Sequence, residues 1–236
     1  MTRPHPCGDE VFDEYADGYD SALAEGISVS GEDKNYFARG RIAWLARCLE
    51  QLQERPKSFL DYGCGTGSAS PFIFEMLGVK SLIGVDASLK SLEKANSAHG
   101  SDRTQFLSFD QYQPREEVDI AFCNGVFHHV PPSERSAVVD YIYRSLRPGG
   151  FFAFWENNPW NPGTRYVMSQ IPFDRDAITL TPPEARRMLR RGGFDVSRTD
   201  FLFIFPRMLR WLRSLEPLAS RLPFGAQYEI LCRKQL

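Results

Sequence analysis

Residues 57–67 read KSFLDYGCGTG. A short apolar run ends at Tyr62 and is followed by Gly63, Gly65 and Gly67, and from Ser68 onward (SASPFIFEML) the pattern is that of a helix. In a strand–glycine loop–helix unit the missing side chains let backbone N–H groups and the helix N-terminus approach a ligand. Such loops occur in several nucleotide-binding families, and many tight turns need glycine merely for positive φ. The loop alone therefore leaves its ligand open.

The unit repeats downstream. Ser81–Asp86 (SLIGVD) is predicted as a second strand with Ser88–Ala98 as its helix, and Thr104–Ser108 as a third strand. Val118–Cys123 is a fourth strand, Ser133–Leu146 a helix, and Phe151–Trp155 a fifth strand. This alternation implies an α/β fold whose parallel sheet has right-handed crossovers and helices on both faces. Upstream, Glu10–Ser21 and Asp33–Glu54 are predicted as a helical lid and a flanking helix, the second with Ile42, Leu45, Leu49 and Leu52 at helical spacing. Downstream, Asn157–Pro172 is read as a polar connector and Pro183–Arg191 as a helix ending at Gly192 and Gly193. Phe194–Phe205 and Gln227–Arg233 are the last strands.

The 236 residues fit one α/β domain, read as a lid and flanking helix (1–56), a ligand-binding core (57–156) and an acceptor-side region (157–236). With 28 basic and 30 acidic residues and a net charge of −2, the chain lacks the electrostatic footprint of a nucleic-acid binder. The start, MTRPHPCGDEVFDEY, has no apolar signal-peptide stretch and no run reaches the roughly 20 apolar residues of a membrane span, so a cytoplasmic location is expected. Cys7, Cys48, Cys64, Cys123 and Cys232 form no CxxC pair and are expected as reduced, packed thiols.

Two acidic residues sharpen the loop's meaning. Asp86 ends the second strand roughly twenty residues after the loop, where a carboxylate can accept both hydroxyls of a ribose. Asp110 follows the third strand, placed to meet an adenine amino group while Phe109 covers the ring. A nicotinamide fingerprint G-x-G-x-x-G would want glycine at position 68, where this chain has Ser68, and there is no Tyr-x-x-x-Lys pair.

FLDYGCGTG, IGVDAS, LSFD, DIAFCNGVFHHV and LRPGG, in this order and spacing, resemble the class I S-adenosylmethionine-dependent methyltransferases. The resemblance spans about residues 10–155. It implies a Rossmann-like, doubly wound, seven-stranded sheet, mostly parallel with the final strand antiparallel. It also implies S-adenosylmethionine as cofactor and S-adenosylhomocysteine as product. Carried over residue by residue, the methionine part would meet Asp61, Gly63, Cys64 and Gly65, the ribose Asp86 with Ala87, the adenine Phe109 and Asp110, and the amino group Asn124 or its backbone carbonyl. The opening VFDEYADGYD is similar to the F-D-x-x-A-x-x-Y-D segment of many small-molecule members, making Tyr19 the residue expected to close over the cofactor and Tyr15 the next candidate. Arg39 is a candidate bidentate partner for the methionine carboxylate.

Methyl transfer from a sulfonium is an in-line displacement, so the protein mainly aligns the acceptor and in some cases removes its proton. His128 and His129 follow strand four at its carboxyl end and are candidate bases, one of them alternatively bracing the loop. No acidic cluster adjoins them in sequence, and no metal is expected. Glu156 is a further candidate base or hydrogen-bonding partner, and Trp155, Asn157, Trp160 and Arg165 are candidate acceptor contacts. Residues 206–224 (PRMLRWLRSLEPLASRLPF) are read as an inserted basic amphipathic helix that roofs the pocket, packs on a second subunit or touches an anionic membrane. The C-terminal half looks like a bacterial subgroup associated with glycolipids, polysaccharides or secondary metabolites. The expected function is methyl transfer to oxygen or nitrogen of a small organic acceptor; the alternative is a non-catalytic cofactor-binding module of the same fold.

Overall fold

The computed structural model describes residues 26–175 and 177–236. They fold around a seven-stranded sheet of order β3-β2-β1-β4-β5-β7-β6. The strands are β1 (Ser58–Tyr62), β2 (Ser81–Asp86), β3 (Thr104–Ser108), β4 (Val118–Asn124), β5 (Leu146–Asn157), β6 (Phe194–Leu202) and β7 (Gln227–Lys234). Strands β1 to β5 pair in parallel, and β7 runs antiparallel to both β5 and β6, as the resemblance implied. The expected lid helix, with Tyr15 and Tyr19, lies outside the described residues.

Alternation along β5 shows why these apolar runs become strands covered on both faces. Phe152 and Phe154 point into one hydrophobic layer while Phe151, Ala153 and Trp155 point into the other. The first layer receives Val138, Val139 and Ile142 of α4 (Arg135–Ser145) and Ala185 and Leu189 of α6 (Pro182–Arg191). The second receives Ile42, Leu45 and Leu49 of α1 (Lys34–Gln51), Ile73 of α2 (Ser70–Leu77) and Leu92 and Ala95 of α3 (Leu89–His99). Local signals start the helices: Asp33 accepts from Tyr36 N (2.8 Å) at the head of α1, and Thr181 with Glu184 forms a capping box on α6.

Three expectations are corrected. The connector after β5 contains α5 (Pro162–Gln170), because Asn161 caps Thr164 N and Pro162 sits at the first helical position, where its missing N–H costs nothing. Strand β6 stops at Leu202 because Phe203 takes a left-handed φ of 61°. The segment after it is a 3-10 helix (Arg207–Leu215) with a kink at Leu209, followed by one helical turn, α7 (Glu216–Ala219). Met208 and Trp211, on either side of that kink, stand 83% and 72% exposed.

Candidate active site

The strand order reverses between β1 and β4, and the crevice at their carboxyl ends is where open α/β sheets take ligands. Gly63, Gly65 and Gly67 all have positive φ (75°, 52° and 72°). A Cβ on Gly63 would strike Val126 Cγ2 at 2.3 Å and one on Gly67 the Phe106 ring, whereas one on Gly65 meets nothing within 4 Å among the described residues. Gly65 is therefore the open floor of the cradle, while its two neighbours are glycine because the protein packs against them. Asp86 ties the cradle to β2: Gly65 N donates to its Oδ2 (2.8 Å) and Ser88 N to its Oδ1 (2.9 Å). Ala87 lies half-buried between Asp86 and Ser88.

Asp61 is buried beneath the loop, and burial, then the charge of Asp86, push its carboxyl up to about 7 against the opposing pull of Arg41. Cys64 is buried, and burial drives its thiol well above the ordinary range, so the cysteine packs and its backbone serves the loop. Phe109 packs its ring against Tyr62 (4.9 Å) and Tyr141 (6.0 Å), and Asp110 is exposed beyond it. Asn124 Oδ1, at the carboxyl end of β4, is buried with no hydrogen-bond partner among the described residues. A buried amide oxygen without a donor is costly, and an ammonium group of a ligand would satisfy it. The open Gly65 floor, the paired acids and this acceptor together fit S-adenosylmethionine.

Arg39 is engaged by α2. Its side chain is exposed, pairs with Glu75 (3.4 Å) and lies over Phe72, on the α2 flank of α1. Arg41 lies on nearly the opposite flank, roughly 100° of turn per residue away in helical phase, acting on Asp61 and donating to Gln227 Oε1 (2.9 Å). The buried stripe Ala38, Ile42, Leu45 and Leu49 does not by itself say which flank overlooks the loop.

Glu156, in β5, is buried and accepts from Phe127 N (2.8 Å) and pairs with His128 Nδ1 (2.6 Å). His128 is 3% exposed, and its Nε2 lies 3.4 Å from Asp174 Oδ1. Burial alone would depress this imidazole, but Glu156 and then Asp174 raise it to about 10. Glu156 and His128 thus brace each other at the carboxyl ends of β4 and β5. His129 Nε2 lies 3.3 Å from the same Asp174 oxygen. Asp174 itself is held down to about 2: its partners His128 and His129 overcome the opposing effect of burial. The sequence reading placed no acid beside the two histidines; the Ile171–Asp174 turn brings one from 46 positions along the chain.

The acceptor-edge residues divide. Trp155 is 0% exposed and belongs to the core, because the β5 alternation turns it toward α1, so it offers no stacking face to a substrate. Asn157 accepts from Gln227 Nε2 (3.1 Å), Trp160 is half exposed and stacks on Phe201 (6.3 Å), and Arg165 is exposed on α5.

Residues 59–150 match the family described as "Methyltransferase domain". The chain is 32% identical over 135 residues to trans-aconitate 2-methyltransferase of Rhizobium leguminosarum bv. trifolii, covering 56% of this chain and 50% of that one. The chain spans about half the length, or less, of such curated relatives. Among solved structures, an S-adenosylmethionine-dependent methyltransferase from Mesorhizobium loti superposes with a TM-score of 0.58 at 19% identity, covering 80% of this chain and 96% of that one. The plantazolicin methyltransferase in complex with SAH gives a TM-score of 0.63 at 14% identity, covering 94% and 98%. Motif order, glycine cradle, strand order and these likenesses agree: the chain carries a class I S-adenosylmethionine-dependent methyltransferase domain.

Proposed function

We propose that the protein transfers a methyl group from S-adenosylmethionine to an oxygen of a small organic acceptor, and that this oxygen belongs to a carboxylate. The observation that carries methyl transfer is the cradle: an open Gly65 floor, Asp86 fixed at the loop by two backbone donors, and the unpartnered Asn124 Oδ1. When bound, the cofactor supplies an electrophilic methyl on a sulfonium. Asp86 would orient the ribose, the Asn124 oxygen would take an ammonium proton, and Arg41 would offer a guanidinium to the cofactor's carboxylate.

The carboxylate reading rests on how the described residues at the carboxyl ends of β4 and β5 are engaged with one another. His128 is paired through Nδ1 with Glu156 (2.6 Å), which also accepts from Phe127 N, and its Nε2 and that of His129 both face Asp174 Oδ1. These groups face one another, which suits an acceptor that arrives already ionised and needs alignment only. The relatives named for trans-aconitate support the same class. Calorimetry with S-adenosylhomocysteine, then methyl-labelled transfer to panels of carboxylic acids, alcohols and amines, tests both levels. Methyl-ester product is expected; no S-adenosylhomocysteine binding by the folded protein sinks the methyl-transfer reading, and products only from amines or alcohols sink the carboxylate reading alone.

A second acceptor class has one observation in its favour. Met208, Trp211 and Leu218 are exposed beside Arg207 and Arg210, an apolar and cationic surface suited to a lipid-linked acceptor or an anionic membrane. Among the described residues, no helix is long and apolar enough to cross a membrane.

A further inference from the structure

The pair His128–His129 and the distant Asp174 form an arrangement that methyl transfer as proposed above does not use. His128 Nε2 and His129 Nε2 lie 3.4 Å and 3.3 Å from the same atom, Asp174 Oδ1, and the two rings are 4.1 Å apart between centroids. Charge-assisted hydrogen bonds are about 2.7–2.9 Å long, so both separations are long for that purpose. They match a different geometry. Ligand atoms about 2.0–2.1 Å from a tetrahedral Zn²⁺ stand about 3.3–3.4 Å from one another. Both nitrogen–oxygen edges have the length of such a site, and one ligand atom from each of the three residues lies within 4.8 Å of the others.

The surrounding groups suit a cation as well. Metal-bound histidine characteristically donates its other ring N–H to a carboxylate, which fixes the tautomer and turns the ligating nitrogen toward the ion. His128 does this with Glu156, Nδ1 to Oε2 at 2.6 Å, and Glu156 is anchored in turn by Phe127 N. The cluster sets two carboxylates against two imidazoles in a largely buried place, and a divalent cation neutralises it without a proton on either ring. The loop is held in position independently of the cluster, since Ile178 N donates to His128 O (2.8 Å) and Arg135 to Ile178 O (2.6 Å).

We infer that His128, His129 and Asp174 form a binding site for a divalent first-row cation, Zn²⁺ or Fe²⁺ by ligand type, that clips the Ile171–Asp174 turn onto the carboxyl ends of β4 and β5. Three protein ligands leave a fourth position for water or an oxygen ligand. The site is distinct from the cofactor cradle and its test needs no methyl acceptor.

The full-length chain, stripped with chelator and dialysed, is titrated with Zn²⁺ by calorimetry and with Co²⁺ by visible spectroscopy. One equivalent of tightly held Zn²⁺, a Co²⁺ visible absorption of tetrahedral intensity and a rise in Tm with Zn²⁺ are expected. His129→Ala and Asp174→Asn should each weaken binding at least tenfold, and Glu156→Gln by about 10- to 100-fold through loss of ring orientation. Circular dichroism of each variant checks that it folds, and the wild-type stoichiometry and spectrum decide the matter if a variant does not. No uptake by the wild type, or uptake that His129→Ala and Asp174→Asn leave unchanged, overturns the site and leaves the two histidines as proton-sharing partners of Asp174.

Discussion

Asp86 and the loop glycines do their work one residue at a time. Both Asp86 oxygens already accept backbone hydrogen bonds, which aim the carboxylate and leave lone pairs for a ribose. Asp86→Ala should weaken S-adenosylhomocysteine binding by about 1–3 kcal/mol in calorimetry, and unchanged affinity would remove its ribose role. Gly63 and Gly65 look equivalent in sequence but have different surroundings. Gly63→Ala, which drives a methyl into Val126, should destabilise the fold by about 1–3 kcal/mol in urea unfolding. Gly65→Ala should cost less stability, having only its 52° φ to strain, and lose more ligand affinity. Equal stability losses would contradict the assignment of Gly65 as the floor. The acids and glycines were legible because their positions follow from strand ends. Arg41 was not, because the choice between it and Arg39 depends on which flank of α1 faces the loop.

At the level of elements, β7 carries a buried charge cluster with β6. Glu229 is fully buried beside Asp200, and burial, then the Asp200 charge, raise its carboxyl from 4.5 to about 8. The folded protein holds this proton after the unfolded chain has lost it, so this group makes stability fall as pH rises from about 4.5 to about 8. Glu229→Gln should remove that slope and raise the urea midpoint above pH 8 relative to wild type; a midpoint lowered at every pH would show instead that the ionised group is needed. The 3-10 helix Arg207–Leu215 is the element the sequence misassigned. Arginines every third residue suit a 3-10 repeat as well as an amphipathic helix, and Arg213 is held by Glu32 and over Tyr36. Because Met208 and Trp211 are exposed, Met208→Ser with Trp211→Ser should change stability by no more than about 0.5 kcal/mol. The double variant should sediment less with anionic vesicles if the lipid-linked acceptor reading holds, and equal sedimentation would count against it.

Across the whole molecule, α1 is fastened to the sheet through an aromatic group in which Phe203 meets Trp155 (6.3 Å), Phe37 (4.9 Å) and Tyr36 (5.9 Å). This joins β5, the end of β6 and α1 in one layer, so Trp155 belongs to stability. Trp155→Ala should cost about 3–5 kcal/mol in denaturant unfolding. A loss under about 1 kcal/mol, with impaired turnover, would return Trp155 to the acceptor pocket.

The amino-acid sequence by itself determined the strand–loop–helix repeat, the glycine loop after β1, and the acids at the ends of β1, β2 and β3. Each of these depends on period, turn chemistry and spacing within a few tens of residues. Only the tertiary structure decided that Arg41 acts on the buried Asp61 while Arg39 pairs with Glu75, that Trp155 lies in the core, and that Asp174 meets His128, His129 and, through His128, Glu156. Those outcomes depend on helical phase, on which face of a doubly covered strand meets which layer, and on a turn returning from 46 positions away. Local pattern encodes none of these, because they are set by how the elements pack.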